Sequence, residues 1–164
     1  MSGPTAEPMR AAVVVASNRA AAGVYEDTTG PLIVDALVDL GFVVDGPHVR
    51  PDGEPVGEAV RDAVAAGARV VLTTGGTGLT PTDRTPEVTR PLLDAEVPGI
   101  AEAIRAAGLA KGVPTAVLSR GLAGLAGRCL VVNLPGSRGG VKDALEVLRP
   151  VLVHAAEQVV GSDH

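Results

Sequence analysis

Aromatic side chains are almost absent: there is no tryptophan, and Tyr25 and Phe42 are the single tyrosine and phenylalanine of 164 residues. Nothing here makes a stacking platform for single-stranded nucleic acid. Blocks of like charge are also missing. The chain carries 14 basic and 19 acidic residues, a net charge of −5, and they are interspersed, so it has no basic track for a phosphate backbone or an acidic membrane. One cysteine, Cys129, lies in the apolar run Arg128-Cys129-Leu130-Val131-Val132 and reads as a small buried hydrophobe rather than a disulfide partner. His48, His154 and His164 are scattered and neither HExxH nor CxxC occurs, which argues against zinc. No Ser-His-Asp pattern is visible, so acyl transfer is not a leading idea. The first residues lack the basic and apolar segments of a signal peptide, and no run is long enough to span a bilayer. The expectation is a soluble, cytoplasmic protein whose partners are small molecules, not nucleic acid or membrane.

What is present is a regular alternation. Residues 1–9 read as a disordered tail, and 10–162 as a single domain with enough apolar residues for a core. Ala11 to Ala16 is an apolar run of the kind buried on both faces of a parallel sheet. Pro31 opens a helical stretch with Ile33, Ala36, Leu37 and Leu40 on one face and Gly41 as its stop. Phe42 to Val44 begins a second strand, and after Pro51-Asp52-Gly53 the spacing of Val56, Ala59, Val60, Ala63 and Val64 predicts a helix up to Gly67. Arg69 to Thr74 is a buried strand that runs into Gly75-Gly76-Thr77-Gly78. Thr85-Pro86-Glu87 offers an N-cap hydroxyl, an early proline and a first-turn acid, and Pro98 to Ala110 predicts a further helix. Thr115 to Leu118 and Leu130 to Leu134 read as strands joined by the small-residue segment Gly121 to Gly127. From Val141 to Val159 the pattern is helical, with Pro150 expected to kink or split it. The fold class is therefore α/β: three layers, with a mostly parallel central sheet between helices.

In such sheets ligands sit beyond the carboxyl ends of the strands. Thr73-Thr74-Gly75-Gly76-Thr77-Gly78 combines glycines, which let backbone N–H groups approach an anion, with hydroxyls that can bind phosphate or carboxylate oxygens. It is not a Walker A loop, because no Gly-Lys-[Ser/Thr] follows, and Pro81 stands where a dinucleotide fingerprint needs its third glycine. A plain strand-to-helix turn is the competing interpretation. Asp83 follows in a polar stretch, where an Asx turn beside Arg84 would also explain it. Asp52 follows the second strand, where it could simply cap the next helix. Two carboxylates and an anion loop on one sheet edge suggest Mg²⁺ shared between Asp52, Asp83 and phosphate oxygens. Asn133-Leu134-Pro135-Gly136-Ser137 ends another strand at a helix start, suited to a second phosphate or carboxylate, with capping by Ser137 as the alternative.

The run Thr73-Thr74-Gly75-Gly76-Thr77-Gly78-Leu79-Thr80-Pro81-Thr82-Asp83-Arg84-Thr85-Pro86-Glu87 resembles the signature of the MoaB/MogA family of molybdenum-cofactor biosynthesis proteins. Ser17-Asn18-Arg19-Ala20, Gly23, Asp27, Gly30-Pro31, Pro51-Asp52, Pro98-Gly99, Leu118-Ser119-Arg120 and Asn133-Leu134-Pro135-Gly136 support the resemblance from about Ala11 onward. It implies an adenylyl transfer between two substrates, molybdopterin and Mg-ATP, giving adenylyl-molybdopterin and pyrophosphate. The two functional aspartates would be Asp52 and Asp83, acting on Mg²⁺ and nucleotide. Thr74, Gly75, Gly76, Thr77 and Gly78 would cradle phosphate, while Ser119, Asn133, Pro135, Gly136 and Ser137 would line the pterin side or a second phosphate. It also implies a homotrimer or a hexamer of trimers. Other members bind molybdopterin without an established reaction, and the motif does not separate the two kinds. One departure is Asn18, where many members carry an acid; it keeps a hydrogen-bonding carbonyl and loses the charge.

Overall fold

A computed structural model describes residues 7–161. Of the expected tail, residues 1–6 lie outside the described residues, as does residue 162 at the end of the expected domain. β1 (Arg10–Ala16) forms from the first apolar run, and everything in it from Ala11 onward is buried. A single turn, α1 (Asn18–Ala21), follows and is capped by Ser17, whose hydroxyl accepts the Ala20 N–H at 3.1 Å. α2 (Thr29–Asp39) starts where the Asp27 carboxylate accepts the N–H groups of Thr29 and Gly30, and stops where Gly41 adopts φ 95°. Then come β2 (Val43–Arg50), α3 (Glu54–Ala65), β3 (Val70–Thr74), α4 (Thr85–Thr89), β4 (Ala95–Glu96) and α5 (Pro98–Ala110). The chain ends with β5 (Ala123–Ala126), β6 (Cys129–Leu134), α6 (Arg138–Leu148) and α7 (Leu152–Gln158), the last two separated at Pro150.

Among the described residues the strands form one sheet in the order β2-β1-β3-β6-β5-β4. The pairs from β2 to β6 are parallel, and β5 and β4 add an antiparallel edge. The two-residue period of a strand divides the core between two faces. Val13, Val70, Leu72, Leu130, Val132 and Leu134 pack with α2, α5, α6 and α7, while Val14, Val71 and Val131 pack with α3. Both faces are thus covered, which is why the central strands read as unbroken apolar runs. The chain leaves β1 for β2 on one side and returns to β3 on the other. That reversal opens a crevice at the carboxyl ends of β1 and β3, where loops 17–18 and 75–78 emerge.

Two local expectations change. Thr115 to Leu118 is not a strand: Pro114–Leu118 is a 3-10 turn, most of it exposed. Its place beside β6 is taken by β5, from the segment read as a linker, because Gly127 and Arg128 fold it straight back onto Cys129. A local hairpin closes with far less chain entropy than a return from residue 118. Thr85 is not an N-cap either; it is the first residue of α4, and its hydroxyl donates to the Gly75 carbonyl at 2.9 Å. The second strand, expected to begin at Phe42 to Val44, does begin there, at Val43. Backbone pairing with β1 carries it through polar residues to Arg50, across a register shift opposite Ala12 to Val14.

Leu37 is completely buried between α2 and the sheet, whereas Leu109 on α5 is 52% exposed. Leu37→Ala is expected to lower the unfolding free energy by about 2–5 kcal/mol and Leu109→Ala by under about 0.5 kcal/mol, read by urea denaturation.

Candidate functional site

The loop after β3 is built so that other groups can come very close to it. Gly75 (φ 88°) and Gly76 (φ 68°) both lie in the left-handed region. A Cβ on Gly75 would strike the Ala16 carbonyl oxygen at the end of β1. On Gly76 it would strike the Thr85 hydroxyl and come within 2.7 Å of Asp52 Oδ1, and on Gly78 it would come within 2.8 Å of Asp83 Oδ2. The loop is therefore flanked by the two carboxylates, each against a position where only hydrogen fits. Thr85 holds the loop from beneath: its N–H donates to the Gly76 carbonyl at 3.0 Å and its hydroxyl to that of Gly75.

Asp52 does not cap α3. Gly53 occupies the cap position, and the Asp52 N–H donates instead to Asn18 Oδ1 at 2.9 Å. Among the described residues Asp52 Oδ1 is the buried side-chain oxygen or nitrogen without a hydrogen-bond partner. Burial above all, and then the nearby charge of Asp83, push the Asp52 carboxyl above the usual carboxylate range, while a backbone hydrogen bond at Asn18 works against both. Asp83 makes a tight turn in which its Oδ2 accepts the Thr80 N–H at 3.1 Å and its own N–H donates to the Thr80 carbonyl at 3.0 Å. A partly buried carboxylate with an unpartnered oxygen beside a second carboxylate is a donor set suited to a hard divalent cation. Among the described residues no three acidic, histidine or cysteine side chains cluster to hold a metal by themselves, so such an ion would keep waters or ligand oxygens as its other partners.

Beside the loop opens a cavity of about 550 Å³, within the range of small-molecule sites. One wall is polar: Gly76, Thr77, Gly78, Asp83, Ser119 and the turn Pro135-Gly136-Ser137. The other is apolar, formed by Leu79, Ile104, Val113 and Leu118. Thr74 sits behind it and joins the two glycine turns, its hydroxyl donating to the Pro135 carbonyl at 2.6 Å. Gly136 lies so near Gly75 that a Cβ would meet the Gly75 Cα at 3.2 Å. Ser137 caps α6, accepting the Gly140 N–H at 3.0 Å, and lines the cavity as well.

Asn133 is placed differently from the other candidates. It is buried under the site rather than in the cavity wall: Oδ1 accepts the Leu122 N–H at 3.0 Å, and Nδ2 donates to Thr73 Oγ1 at 2.9 Å and Thr89 Oγ1 at 3.2 Å. Both amide hydrogens are spent on this network, so the side chain braces β3, β6 and α4 beneath the loop. Asp52 likewise stands on the β2 side of the glycine loop rather than in the cavity wall. Sequence reasoning missed Thr85, taken for a cap, and the apolar wall, whose residues come from three separated segments with no shared period. The pair Glu87 and Arg120 was visible within the matched segments but carried no role.

Residues 12–154 match the family described as "probable molybdopterin binding domain". The chain is 39% identical over 155 residues to the molybdenum cofactor biosynthesis bifunctional protein of Synechococcus elongatus, covering 94% of this chain and 48% of that protein. It thus spans about half the length of that relative. It is 34% identical over 154 residues to the molybdopterin adenylyltransferase of Helicobacter pylori, covering 92% of this chain and 87% of the relative. Among solved structures, the molybdopterin biosynthesis Mog protein from Mycobacterium ulcerans superposes with a TM-score of 0.88 at 53% identity, over 92% of this chain and 99% of that one.

An acid whose folded-state pKa is raised holds its proton more tightly in the folded chain. Ionised Asp52 therefore lowers stability above that pKa, and the penalty fades as pH falls through it. Asp52→Asn is expected to raise the thermal midpoint at neutral pH, with the gain shrinking as pH falls through the raised Asp52 pKa and gone once pH is below the ordinary carboxylate range. Gly76→Ala should lower the midpoint, since left-handed backbone alone costs about 1–2 kcal/mol before the collisions with Thr85 and Asp52 are added. Thermal melts across a pH series check both.

Proposed function

The chain belongs to the family of molybdopterin binding domains, and from that footing we propose that it adenylylates molybdopterin. The terminal phosphate of the pterin attacks the α-phosphorus of ATP; a new P–O bond forms, the α–β P–O bond breaks, and pyrophosphate leaves. The observation that carries this reading is the glycine loop flanked by Asp52 and Asp83, with the unpartnered Asp52 oxygen, at the mouth of a cavity of about 550 Å³. Mg²⁺ held by Asp52 and Asp83, when bound, supplies neutralisation of phosphate charge.

The other parts of the site do the positioning. A phosphate nucleophile is already ionised at neutral pH, so no general base is required, and the absence of histidine from the cavity wall is no obstacle. Backbone N–H groups of Gly76 to Gly78, with the hydroxyl of Thr77, orient phosphate oxygens. The Pro135-Gly136-Ser137 turn at the start of α6 receives a second anionic group, and Leu79, Ile104, Val113 and Leu118 cover the pterin ring and exclude water. The same reading includes a cytoplasmic protein assembled as a homotrimer or a hexamer of trimers. Among the described residues no helix is long and apolar enough to cross a membrane.

A second reading, pterin binding without turnover, is favoured by Asn18. Its neutral carbonyl accepts the Asp52 N–H, and at this position no third carboxylate joins Asp52 and Asp83. Anaerobic incubation with molybdopterin and Mg-ATP separates the two. Adenylyl-molybdopterin by mass spectrometry and pyrophosphate in equal amounts are expected. Asp83→Ala should lower kcat at least about 100-fold while keeping the far-UV spectrum, and Asp52→Ala should weaken the Mg²⁺ dependence or the rate. Pterin binding with no product from the unaltered protein would leave the binding-protein reading; unchanged rates in both variants would remove the metal assignment.

A further inference from the structure

The tip of the loop that carries Asp83, from Leu79 to Thr82, is exposed. Its recorded hydrogen bonds are short-range ones: Thr80 N–H to Asp83 Oδ2, Asp83 N–H to the Thr80 carbonyl, and the Thr80 and Thr82 hydroxyls at 3.3 Å. Such a tip fixes the carboxylate relative to the loop, not relative to Asp52 or the cavity. Thr85 ties down Gly75 and Gly76 at the root of the loop, and the 78–83 excursion itself is anchored by one further side chain. Arg120 Nε donates to the Gly78 carbonyl at 2.8 Å, and Nη2 donates to the Asp83 carbonyl at 2.9 Å, so a single guanidinium pins both ends of the 78–83 excursion. Glu87 grips the guanidinium bidentately, Oε2 to Nη1 at 2.7 Å and Oε1 to Nη2 at 3.0 Å. The Arg120 N–H adds a bond to the Thr77 carbonyl at 2.8 Å. Each partner supports the charge of the other, Glu87 held below and Arg120 above its ordinary range chiefly by their mutual hydrogen bond.

Resting on the adenylyl-transfer reading of this site, we propose that Arg120 is its positioning residue: the guanidinium sets where the Asp83 carboxylate stands by pinning the Gly78 and Asp83 carbonyls together, with Glu87 holding the guanidinium plane. The geometry asks for three acceptor groups in one fork. A lysine ammonium keeps the charge but has no planar fork to span them. Arg120 is not among the residues that line the cavity and bonds the backbone carbonyl of Asp83 rather than its carboxylate, so its effect on chemistry passes through the placement of Asp83.

The test uses the full chain with Arg120→Lys and, as a milder change that leaves both loop carbonyls bonded, Glu87→Gln. Hydrogen exchange of the 78–83 amides, kcat and KM for molybdopterin, and Mn²⁺ affinity by electron paramagnetic resonance are measured on each. Arg120→Lys is expected to speed exchange at 78–83 by about tenfold, the consequence of one lost hydrogen bond. It should also lower kcat by about 100-fold with KM changed only a few-fold, since a misplaced group loses rate rather than ground-state binding. Glu87→Gln should move both quantities the same way by less, and it decides the matter by itself if Arg120→Lys does not fold. Unchanged kcat and exchange in the folded variants would overturn the proposal, as would a loss that falls wholly on KM. If the unaltered protein shows no turnover, the adenylyl-transfer reading fails separately. The clamp is then judged by Mn²⁺: weaker binding in the folded variants together with faster exchange supports it, and equal binding overturns it.

Discussion

The contact on which the site depends is the one between a hydrogen atom and a carboxylate. Gly76 lets Asp52 Oδ1 and the Thr85 hydroxyl into space that a Cβ would occupy, and Gly78 does the same for Asp83 Oδ2. Everything near the loop is arranged around that close approach. α4 begins at Thr85 because its hydroxyl and N–H meet the carbonyls of Gly75 and Gly76, and the β1 carbonyl at Ala16 closes in on Gly75 from the other side. The loop is therefore stiff at its root, which is what a group that must orient phosphate oxygens requires.

That arrangement is held against electrostatic cost. Two carboxylates share one edge of the sheet, one with a buried oxygen that no proton donor reaches, and the carboxyl of Asp52 is displaced upward as a result. The neighbouring Asn18 does not satisfy that oxygen; its side-chain carbonyl accepts the Asp52 N–H. Such stored strain is common at functional sites because the group that relieves it is the ligand. By contrast the sulfur of Cys129, buried in the sheet with its pKa pushed up to about 12 by desolvation, is a packing group.

Beneath the loop the fold supplies polar bracing in place of apolar packing. Asn133, Thr73 and Thr89 form a closed set of hydrogen bonds linking β3, β6 and α4, and Thr89 passes its own hydrogen to the Thr85 carbonyl at 2.7 Å. Arg105 reaches from α5 to the carbonyls of Ser119 and Gly121 at 3.3 and 3.1 Å, fixing the cavity wall that follows the 3-10 turn. Directional bonds at these places specify one arrangement of loops, where apolar contacts alone would tolerate several.

Residue pattern by itself determined the layers and most of the elements. Apolar runs such as Ala11 to Ala16 and Leu130 to Val132 are readable because strands covered on both faces favour apolar residues on both, and α5 is legible because its period and its proline start are local. The glycine loop and its two aspartates were legible for the same local reason, as short motifs at strand ends. Only the tertiary structure decided which segment fills a sheet edge: β5 displaced Thr115 to Leu118 because hairpin closure onto β6 outweighs the β propensity of two residues. It also decided what each candidate does. Thr85 binds a carbonyl rather than capping, Asn133 braces rather than lines, and Glu87 and Arg120 meet across 33 residues of chain. Those roles depend on distances between segments remote in sequence, and no local propensity encodes such distances; they exist only once the sheet has brought the segments together.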